Sequence, residues 1–444
     1  MSLRLAAREI FNEALRAVFP EDAVRRAVEL NGSLLKIGNL QLEIANRQVY
    51  SIAIGKAALP MALALEDRLG DRLAAGVIAG PVAGQLQGRV IASMLLKLYA
   101  RWRWYEGGHP LPTTASLAAA AATFDLLERA NDEAAIVIFL VSGGGSAMIE
   151  WPVSEAITLS DLGVANQVLV NCGAAISEIN AVRRGFSAIK GGKLAARAPN
   201  CDQITLIISD VPSGEEPSVA SGPTLFPIPE APAAREVIAK YGLRDKLPET
   251  VLRAIESVDE SPYPKVLRVR EHLVLLNNRT VLEAAAAGAR RRSFEAEIAA
   301  EISDQPIADG CEELVKRLAL LRAAHRDNCR AVCLVSGGEF ACPVRGDGTG
   351  GRNLETALRL ACAAQFDMVA LCAGTDGIDG SSTAAGALID RTTLERARSI
   401  GLDATDFLRR SDAYSFFVAL GDAITTGPTG TNVRDVRILL AETE

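Results

Sequence analysis

The chain has 444 residues, of which 49% are hydrophobic and 23% charged, and its formal net charge is −7 with a pI near 5.4. One hydrophobic core rarely covers a chain of this length, so we expect two globular domains rather than a disordered polypeptide. The negative charge argues against nucleic acid as the main partner, and an anionic substrate would need a local basic pocket.

The N-terminus has the spacing of amphipathic helices rather than that of a signal peptide, since charged residues interrupt its apolar residues. We expect residues 1–40 to be helical, with a break at Phe19-Pro20, and leave open on which domain they pack. The apolar run Ala134 to Val141 is too short to cross a bilayer. The eight cysteines form no CxxC pair. A cytoplasmic protein with reduced thiols and no membrane partner is therefore expected.

Apolar stretches then alternate with alanine-rich helical stretches. Strands are predicted at Val49 to Ile54, Ile136 to Val141 and Ile204 to Ile208, and this βαβα order predicts a parallel sheet covered by helices. Prolines concentrate between residues 225 and 265, which suggests a first domain over 1–240 and a second over 250–444. Further strands are predicted in the second half at His272 to Leu276, Ala331 to Val335, Met368 to Cys372 and Val436 to Leu440.

The strongest local signal is the sequence SGGGSA, directly after a buried strand. Ser142, Gly143, Gly144, Gly145 and Ser146 would let backbone N–H groups approach an anion and offer two hydroxyls. A helix beginning at Ser146 would add the attraction of its dipole. The alternative is a tight turn that needs a left-handed residue. The pattern GxxxxGK[ST] is absent, so a Walker-type ATPase is not supported.

Two charged residues follow other predicted strands of the first half. Lys56 comes after Val49 to Ile54 through Gly55, where a lysine can meet phosphate as a point charge, although an ordinary solvated lysine is the alternative. Asp210 lies just past Ile204 to Ile208, where a carboxylate is well placed to hold Mg²⁺ together with phosphate oxygens.

The second half carries a Ser-Gly-Gly turn with Gly337 and Gly338, and then the loop RGDGTGGRN. Arg352 and Asn353 stand at a predicted helix start, where the guanidinium could bind a carboxylate or a phosphoryl group bidentately. Residues 346–351 also match GxGxxG. That fingerprint requires a buried strand immediately before it, whereas Cys342-Pro-Val-Arg345 precedes it here, so nicotinamide binding is poorly supported.

Asp376 and Asp379 lie in the glycine-rich loop TDGIDG after another strand. Either could bind Mg²⁺ or act as a base toward a substrate hydroxyl, and the alternative for each is a turn or helix-cap residue. His109, in GHP, precedes a proline and favours an extended backbone. It is a candidate substrate contact, with a hydrogen-bonded structural histidine as the alternative.

The ordered set GHP, SGGGSA, VRRGFSAIKGGKLA, SDVP, ASGPT, SGGE, GTGGRNLE, TDGIDG and GPTGTNVRD resembles the class II glycerate kinase family over nearly the whole chain. The resemblance implies transfer of the γ-phosphoryl group of ATP to D-glycerate, with Mg²⁺, to give 2-phosphoglycerate. It further implies that Lys56, of IGKAA, and Arg352, of GGRN, are essential.

The chain departs from the family pattern in two places. The stretch Val82 to Arg103 lacks a basic, histidine-containing segment, which puts a substrate contact from that stretch in doubt. The loop after Asp210 reads PSGEEPSV, so either Glu215 or Glu216 could approach the metal.

We therefore expect an α/β protein of two three-layer domains, the first with a parallel Rossmann- or flavodoxin-like sheet and the second with a mixed sheet, with the active site in the cleft between them. Residues 142–146, Gly337 and Gly338 would contact ATP, and His109, Asp376 and Asn353 the substrate. Lys56, Arg352 and Asp210 would be catalytic, and Asp210, Asp376 and Asp379 would hold Mg²⁺. An NAD(P)H-dependent hydroxypyruvate reductase and a non-catalytic sugar-acid binding protein are the alternatives, and a homodimer is left open.

Overall fold

The structure is a computed structural model that describes residues 2–81, 100–226, 232–257, 268–326, 331–364 and 366–443. The chain forms two compact units. The N-terminal unit contains Pro20–Leu275, and the C-terminal unit combines Met1–Phe19 with Leu276–Glu444. The division thus falls about 25–35 residues later than the boundary that proline content suggested, and the first 19 residues belong with the second half.

The prediction that residues 1–40 are helical is wrong from Val28 onward. Helices α1 (Leu3–Ala17) and α2 (Pro20–Ala27) are followed by three short antiparallel strands, β1 (Val28–Asn31), β2 (Leu34–Ile37) and β3 (Leu40–Glu43). In β2, Leu35 and Ile37 are buried whereas Leu34 and Lys36 are partly exposed, which is the period-two pattern of a strand with one covered face.

The N-terminal unit is built on a six-stranded sheet. Its strands are β4 (Val49–Ile54), β5 (Leu73–Gly80), β6 (Trp102–Glu106), β7 (Ile136–Ser142), β8 (Asp202–Ile208) and β9 (Arg270–Leu276). The order is β6-β5-β4-β7-β8-β9, and every pairing from β6 to β8 is parallel, as predicted. All residues of β4, β7 and β8 are buried, so both faces of the sheet are covered.

Helices and short 3₁₀ turns connect these strands. The helices are α3 (Ala58–Leu69), α4 (Thr114–Asp132), α5 (Gly145–Met148), α6 (Leu159–Asn171), α7 (Ile176–Phe186), α8 (Ala234–Lys240) and α9 (Glu249–Ser257), and the 3₁₀ turns are Gly70–Arg72, Ala195–Arg197 and Glu216–Ser221. Alanines of α4 pack on alternate residues of β4 and β7 in one apolar cluster, which is why an alanine-rich helix fits closely against this sheet.

The C-terminal unit has a mixed six-stranded sheet, as predicted. Its strands are β10 (Glu295–Ile298), β11 (Val332–Ser336), β12 (Val369–Gly374), β13 (Gly386–Ile389), β14 (Ala423–Ile424) and β15 (Asp435–Ala441). In the order β10-β11-β15-β12-β13-β14, the first pairing is parallel and the others are antiparallel. Its further helices are α10 (Asn278–Arg291), α11 (Ile307–Ala324), α12 (Arg352–Ala363), α13 (Thr393–Ser399), α14 (Ala404–Arg409) and α15 (Ala413–Leu420).

Two distant segments complete the units. Strand β9, predicted for the second domain, lies at the edge of the first sheet beside β8. Helix α1 packs in the C-terminal unit, where Glu13 pairs with Arg291 and Arg292 at the end of α10. Neither pairing is visible in local sequence, because each joins segments that are far apart along the chain.

Among the described residues, no helix is both long and apolar enough to span a membrane. The family departure at Val82 to Arg103 lies largely outside the described residues, as do 227–231 and 258–267 of the predicted interdomain connection.

Candidate functional site

The strand order of the N-terminal unit identifies where a ligand should bind. The sheet grows outward from β4 through β5 to β6 on one side, and then through β7, β8 and β9 on the other. This is the doubly wound order 3-2-1-4-5-6, in which the loops after the two central strands diverge and leave a crevice at the carboxyl edge. Lys56 follows β4 and the SGGGSA loop follows β7, so both predicted elements lie at this switch point.

Ser142 joins the two loops through its side chain. Its hydroxyl donates to Ile54 O at 3.1 Å and accepts from the Ala57 N–H at 3.0 Å, and the Lys56 N–H donates to Gly143 O at 2.9 Å. Ser142 is 2% exposed. Its hydroxyl therefore fixes the loops to each other, and an anion would meet main-chain N–H groups here rather than the Ser142 side chain.

Lys56 and His109 both lie beside Gly144. Gly144 has φ +78°, and a Cβ there would be 3.1 Å from Lys56 Cγ and 3.4 Å from His109 Cδ2. A larger residue would be strained by this left-handed backbone. Lys56 is half-buried and His109 exposed. The structure thus brings a cation and an imidazole together over the turn.

Asp210 completes this group of residues. Its carboxylate lies against Gly143, so closely that a Cβ at position 143 would overlap Oδ2. Asp210 comes two residues after β8, the strand adjacent to β7. The described N-terminal unit therefore gathers Lys56, His109, Asp210 and the glycine-rich turn at one edge of the sheet, which no local pattern alone could establish.

The helix considered from Ser146 begins one residue earlier and is very short. Helix α5 begins at Gly145 and is a single turn, so its dipole adds little to anion binding. The Ser146 hydroxyl instead lies 2.8 Å from that of Ser221, which donates to Asn180 Oδ1 at 2.7 Å. These polar contacts connect the glycine-rich turn to α7 and to the 3₁₀ turn Glu216–Ser221.

The donor set fits a nucleotide and a magnesium ion in its chemistry. Glycine residues allow main-chain groups to approach phosphate, and Lys56 supplies a positive charge. Among the described residues, no three His, Cys, Asp or Glu side chains form a group that could hold a metal. Mg²⁺ commonly takes one or two carboxylates and completes its shell with phosphate oxygens and water. Asp210 beside the glycine-rich turn meets that requirement.

Of the two alternative acids in the loop after Asp210, Glu216 is engaged locally. Its Oε1 accepts from the Gly214 N–H at 3.1 Å, and the residue begins the 3₁₀ turn that ends at Ser221. Glu215 is exposed.

In the C-terminal unit, Asp379 caps helix α12. Its carboxylate accepts from the N–H groups of Asn353 at 3.1 Å and Leu354 at 2.8 Å, the groups that a helix start leaves unpaired. Burial raises the pKa of Asp379 to about 7, against the lowering effect of these hydrogen bonds. This geometry matches the helix-cap alternative for Asp379, although the residue was also a candidate metal ligand.

Arg352 lies beside Asp379 at the first position of α12. Its Nε donates to Asp435 Oδ2 at 2.7 Å and its Nη2 is 2.9 Å from Glu339 Oε1. Burial lowers the pKa of Arg352, but the charges of Asp435 and Glu339 outweigh burial and the pKa is raised. The side chain remains 36% exposed, so a fixed and fully charged guanidinium reaches the surface.

Asn353 is oriented inward. It is 1% exposed, and its amide donates to Asp435 Oδ1 at 2.9 Å and to Asp379 Oδ1 at 3.2 Å. The structure places this predicted substrate contact between two carboxylates. Its Oδ1 atom is buried and has no hydrogen-bond partner among the residues that the structure describes.

Asp376 lies in the loop after β12. Its carboxylate accepts from the Ile378 N–H at 3.2 Å and its carbonyl from the Thr429 N–H at 3.2 Å. It is half-buried, so it is more accessible than Asp379.

Gly337 and Gly338 use their main chain internally. The buried Arg437 donates to Gly337 O, and the Gly338 N–H donates to Asn278 Oδ1 at 3.0 Å. The two Ser-Gly-Gly turns therefore differ, since the SGGGSA turn has Lys56 and His109 beside it whereas the second turn is packed against its own unit.

The GxGxxG match is not a dinucleotide fingerprint. Strand β11 ends at Ser336, ten residues before Gly346, and the Gly348 N–H donates to Arg410 O at 3.0 Å. The strand-turn-helix context that the fingerprint requires is missing from residues 331–364, as the sequence suggested.

Sequence reasoning missed Asp435 and Glu339, the partners of Arg352. A usable signal existed for Asp435, because DVRILLA is an otherwise apolar strand with an acid and an arginine at one end. Charged residues in a fully buried strand need partners, although the sequence does not show that Arg352, 83 positions earlier, is the partner of Asp435.

Fold and site define a two-unit α/β protein with a glycine-rich turn, a lysine, a histidine and an aspartate at the switch point of a doubly wound sheet. The chain belongs to the glycerate kinase family. The sequence profile of a domain of unknown function, DUF4147, matches residues 6–256, and that of the MOFRL family matches residues 332–435.

Similar proteins match along the whole chain. Glycerate 2-kinase from Pyrococcus horikoshii is 33% identical over 448 residues, covering 99% of this chain and 98% of the relative. The crystal structure of glycerate kinase from Thermotoga maritima superposes with a TM-score of 0.81 at 31% identity, covering 99% of both chains. A protein from Agrobacterium vitis with a provisional name as a hydroxypyruvate reductase is 37% identical over 343 residues, 76% of each chain.

Proposed function

We propose that the protein transfers the γ-phosphoryl group of ATP to the 2-hydroxyl of D-glycerate and yields 2-phosphoglycerate. The observation that carries the proposal is the convergence of Lys56, His109 and Asp210 on the glycine-rich turn at the switch point. Membership of the glycerate kinase family supports the acceptor.

The glycine-rich turn and Lys56 are assigned to the phosphates. Main-chain N–H groups next to Gly143 and Gly144 can approach phosphate oxygens, and the Lys56 ammonium compensates negative charge as a point charge. Phosphoryl transfer depends mostly on such positioning and charge compensation. The hydrogen bonds of Ser142 preorganise this arrangement, since they hold the lysine loop and the glycine loop together.

Asp210, in the N-terminal unit, is assigned to Mg²⁺, which would neutralise phosphate charge when bound, and Asp376, in the C-terminal unit, is the other candidate. Asp210 is the stronger candidate because it lies against the glycine-rich turn. Asp379 already accepts two helix N–H groups, so we assign it to holding α12 and Arg352 in place.

His109 and Arg352 are assigned to the acid substrate. Arg352 presents a guanidinium whose orientation is set by Asp435 and Glu339, which suits a carboxylate or a transferred phosphoryl group. His109 stands beside Lys56 and can donate to or accept from a hydroxyl.

We place this reaction in the cytoplasm. Cysteine residues that the structure describes, including buried Cys201, Cys311, Cys333 and Cys372, are unpaired thiols. Free thiols persist in a reducing compartment, where ATP is also available.

The test is a coupled assay of ADP release over a panel of hydroxy acids, with ³¹P NMR of the product. We expect ADP release with D-glycerate that depends on Mg²⁺, and a phosphorus resonance coupled to the proton at C2. Oxidation of NADH with hydroxypyruvate and no ADP release would instead identify a reductase. Glycerate binding by calorimetry without turnover would identify a binding protein.

A further inference from the structure

A buried ion pair lies behind the glycine-rich turn. Glu150 and Lys190 are 0% and 1% exposed, and the Lys190 ammonium donates to Glu150 Oε2. The other oxygen, Oε1, accepts from the Ser187 hydroxyl at 2.5 Å and the Trp151 N–H at 3.0 Å. Both carboxylate oxygens are thus fully engaged, which a carboxylate needs when it is removed from water.

Glu150 connects the glycine-rich turn to the histidine turn. It lies two residues after α5, and its N–H donates to Ser116 O at 3.3 Å. The Ser116 hydroxyl, fully buried, accepts from the N–H groups of Gly108 and Thr113 at 3.1 and 3.0 Å. These two N–H groups flank His109, so the position of the imidazole depends on the same short chain of contacts.

Lys190 connects the pair to the other side of the turn. The next two residues, Gly191 and Gly192, donate through their N–H groups to Ser221 O and Gly222 O at 3.2 and 2.7 Å. The hydroxyl of Ser221 contacts that of Ser146 at the end of the SGGGSA turn. Through their own main chain or that of the next residues, Glu150 and Lys190 are therefore linked to Ser116 on one side and to Ser221 on the other.

The charges around the pair are unbalanced toward positive. Arg183 is buried nearby and Lys193 is half-buried, and burial lowers the pKa of each. Glu150 opposes that lowering at Lys190, Arg183 and Lys193. Glu150 thus favours the charged form of all three cations, whereas only Lys190 donates to it, since Arg183 donates to Asn166 Oδ1 and Lys193 to the carbonyls of Arg184 and Ser187.

Stability alone does not require an ion pair in this position, since buried pairs can often be replaced by apolar residues of similar volume at little cost. We infer that Glu150, through its pairing with Lys190, is a positioning residue that sets the geometry of the glycine-rich turn and of His109. The inference rests on the proposed function for its kinetic readout.

Its test compares double variants in the full chain. Glu150→Leu/Lys190→Met removes both charges and the hydrogen bonds, whereas Glu150→Gln/Lys190→Met retains an acceptor for Ser187. The control is Arg47→Met/Asp202→Asn, which removes a pair with a 2.5 Å contact at the opposite, amino edge of the same sheet.

We expect the melting temperature of Glu150→Leu/Lys190→Met to lie within a few degrees of that of wild type. Its kcat should fall and its KM for ATP should rise, so that kcat/KM falls at least tenfold. Amide hydrogen exchange over 107–113 and 142–150 should accelerate. For Glu150→Gln/Lys190→Met, kcat/KM for ATP should fall about threefold. In the control variant, kcat, KM and the exchange of both segments should equal those of wild type.

The inference is overturned if the Leu/Met variant folds and keeps wild-type kinetics and exchange in these two segments. If that variant does not fold, the Gln/Met variant decides: unchanged kcat, KM and exchange overturn the inference, and a loss confined to kcat and KM for ATP with faster exchange supports it. If the wild-type protein does not phosphorylate glycerate, the proposed function fails, and the exchange comparison still decides the role of Glu150.

Discussion

The carboxylate of Asp210 occupies the space that a side chain at position 143 would need. Gly143 belongs to the turn after β7 and Asp210 to the loop after β8, so this contact joins two neighbouring strand ends. The contact places a candidate magnesium ligand directly against the turn.

Substitution of Gly143 by alanine should therefore displace Asp210. We expect kcat/KM for Mg²⁺-ATP to fall about 100-fold, as for the loss of one preorganised charge contact, and stability to fall by about 1–3 kcal/mol because of overpacking. Steady-state kinetics and urea denaturation measure the two effects. Gly163→Ala is the matched control, since Gly163 lies in α6 with open space at its Cβ position and should gain about 0.5–1 kcal/mol. Wild-type kinetics in Gly143→Ala would contradict the assignment of Asp210.

Lys56→Ala should reduce kcat by about 100-fold or more, since the ammonium compensates charge on the phosphates. Lys56→Arg should recover only part of the loss because a planar guanidinium does not reproduce a compact point charge. The measurement is ADP release at saturating substrates. The exposed Lys246 supplies the control, and its alanine variant should behave as wild type. Near wild-type turnover in Lys56→Ala would remove Lys56 from the mechanism.

Arg352→Lys should fold but lose about 100-fold in activity, because a lysine cannot contact Asp435 and Glu339 with separate nitrogens. Arg352→Ala should in addition lose about 1–3 kcal/mol of stability, since Asp435 is 1% exposed and would lack one partner. Thermal unfolding and kinetics separate the two effects. Arg253→Lys changes an exposed pair and should alter stability by less than about 0.5 kcal/mol. Full activity in Arg352→Lys would show that the charge alone suffices.

Asp379 and Asp210 should respond differently to substitution. Asp379→Ala removes the cap of α12 and should cost about 1–2 kcal/mol of stability with no change in the Mg²⁺ concentration that gives half-maximal activity. Asp210→Asn should raise that concentration several-fold at nearly unchanged stability. Magnesium titrations of both variants, with denaturation curves, provide the comparison. A raised Mg²⁺ requirement in Asp379→Ala would return Asp379 to the metal site.

The contact of Glu13 with α10 should depend on pH. Hydrogen bonds from Arg292 and Arg291 lower the pKa of Glu13 from 4.5 to about 2. Because the folded pKa lies below the ordinary value, the stabilisation is present above pH 4.5 and is lost as pH falls from there toward 2. The free energy of unfolding of Glu13→Gln should thus lie below wild type at pH 7 and approach it by pH 3. Glu283→Gln, in an exposed pair, should stay within about 0.5 kcal/mol at both pH values. A constant difference for Glu13→Gln would contradict the assignment.

Local pattern was sufficient for the central strands and for the turn at their ends. The first six residues of β7 form a continuous apolar run, and Ser142 and three glycines follow it directly. Once β4 and β7 are taken as neighbours, Lys56 and Ser142 must lie at one edge of the sheet. The proximity of Lys56 to the SGGGSA turn could therefore be predicted, because parallel strands end at the same edge of the sheet.

Pattern was insufficient where segments pair across the whole chain. Strands β1 to β3 have four residues each with partial burial, which is too short a signal to separate from a helix. The position of β9 beside β8 depends on contacts between residues more than 50 positions apart. The position of α1 in the C-terminal unit depends on contacts between residues more than 250 positions apart. Hydrophobic periodicity contains no information on such partners.

The membership of α1 in the C-terminal unit has a consequence for synthesis on the ribosome. Helix α1 is made first, but Arg291 and Arg292, which bind Glu13, are made roughly 280 residues later. At about 5–20 residues per second the helix would wait on the order of tens of seconds for its partner. Its apolar face, with Ile10 and Phe11, would be exposed during that time. The nascent chain should therefore be a substrate for ribosome-associated chaperones until α10 emerges.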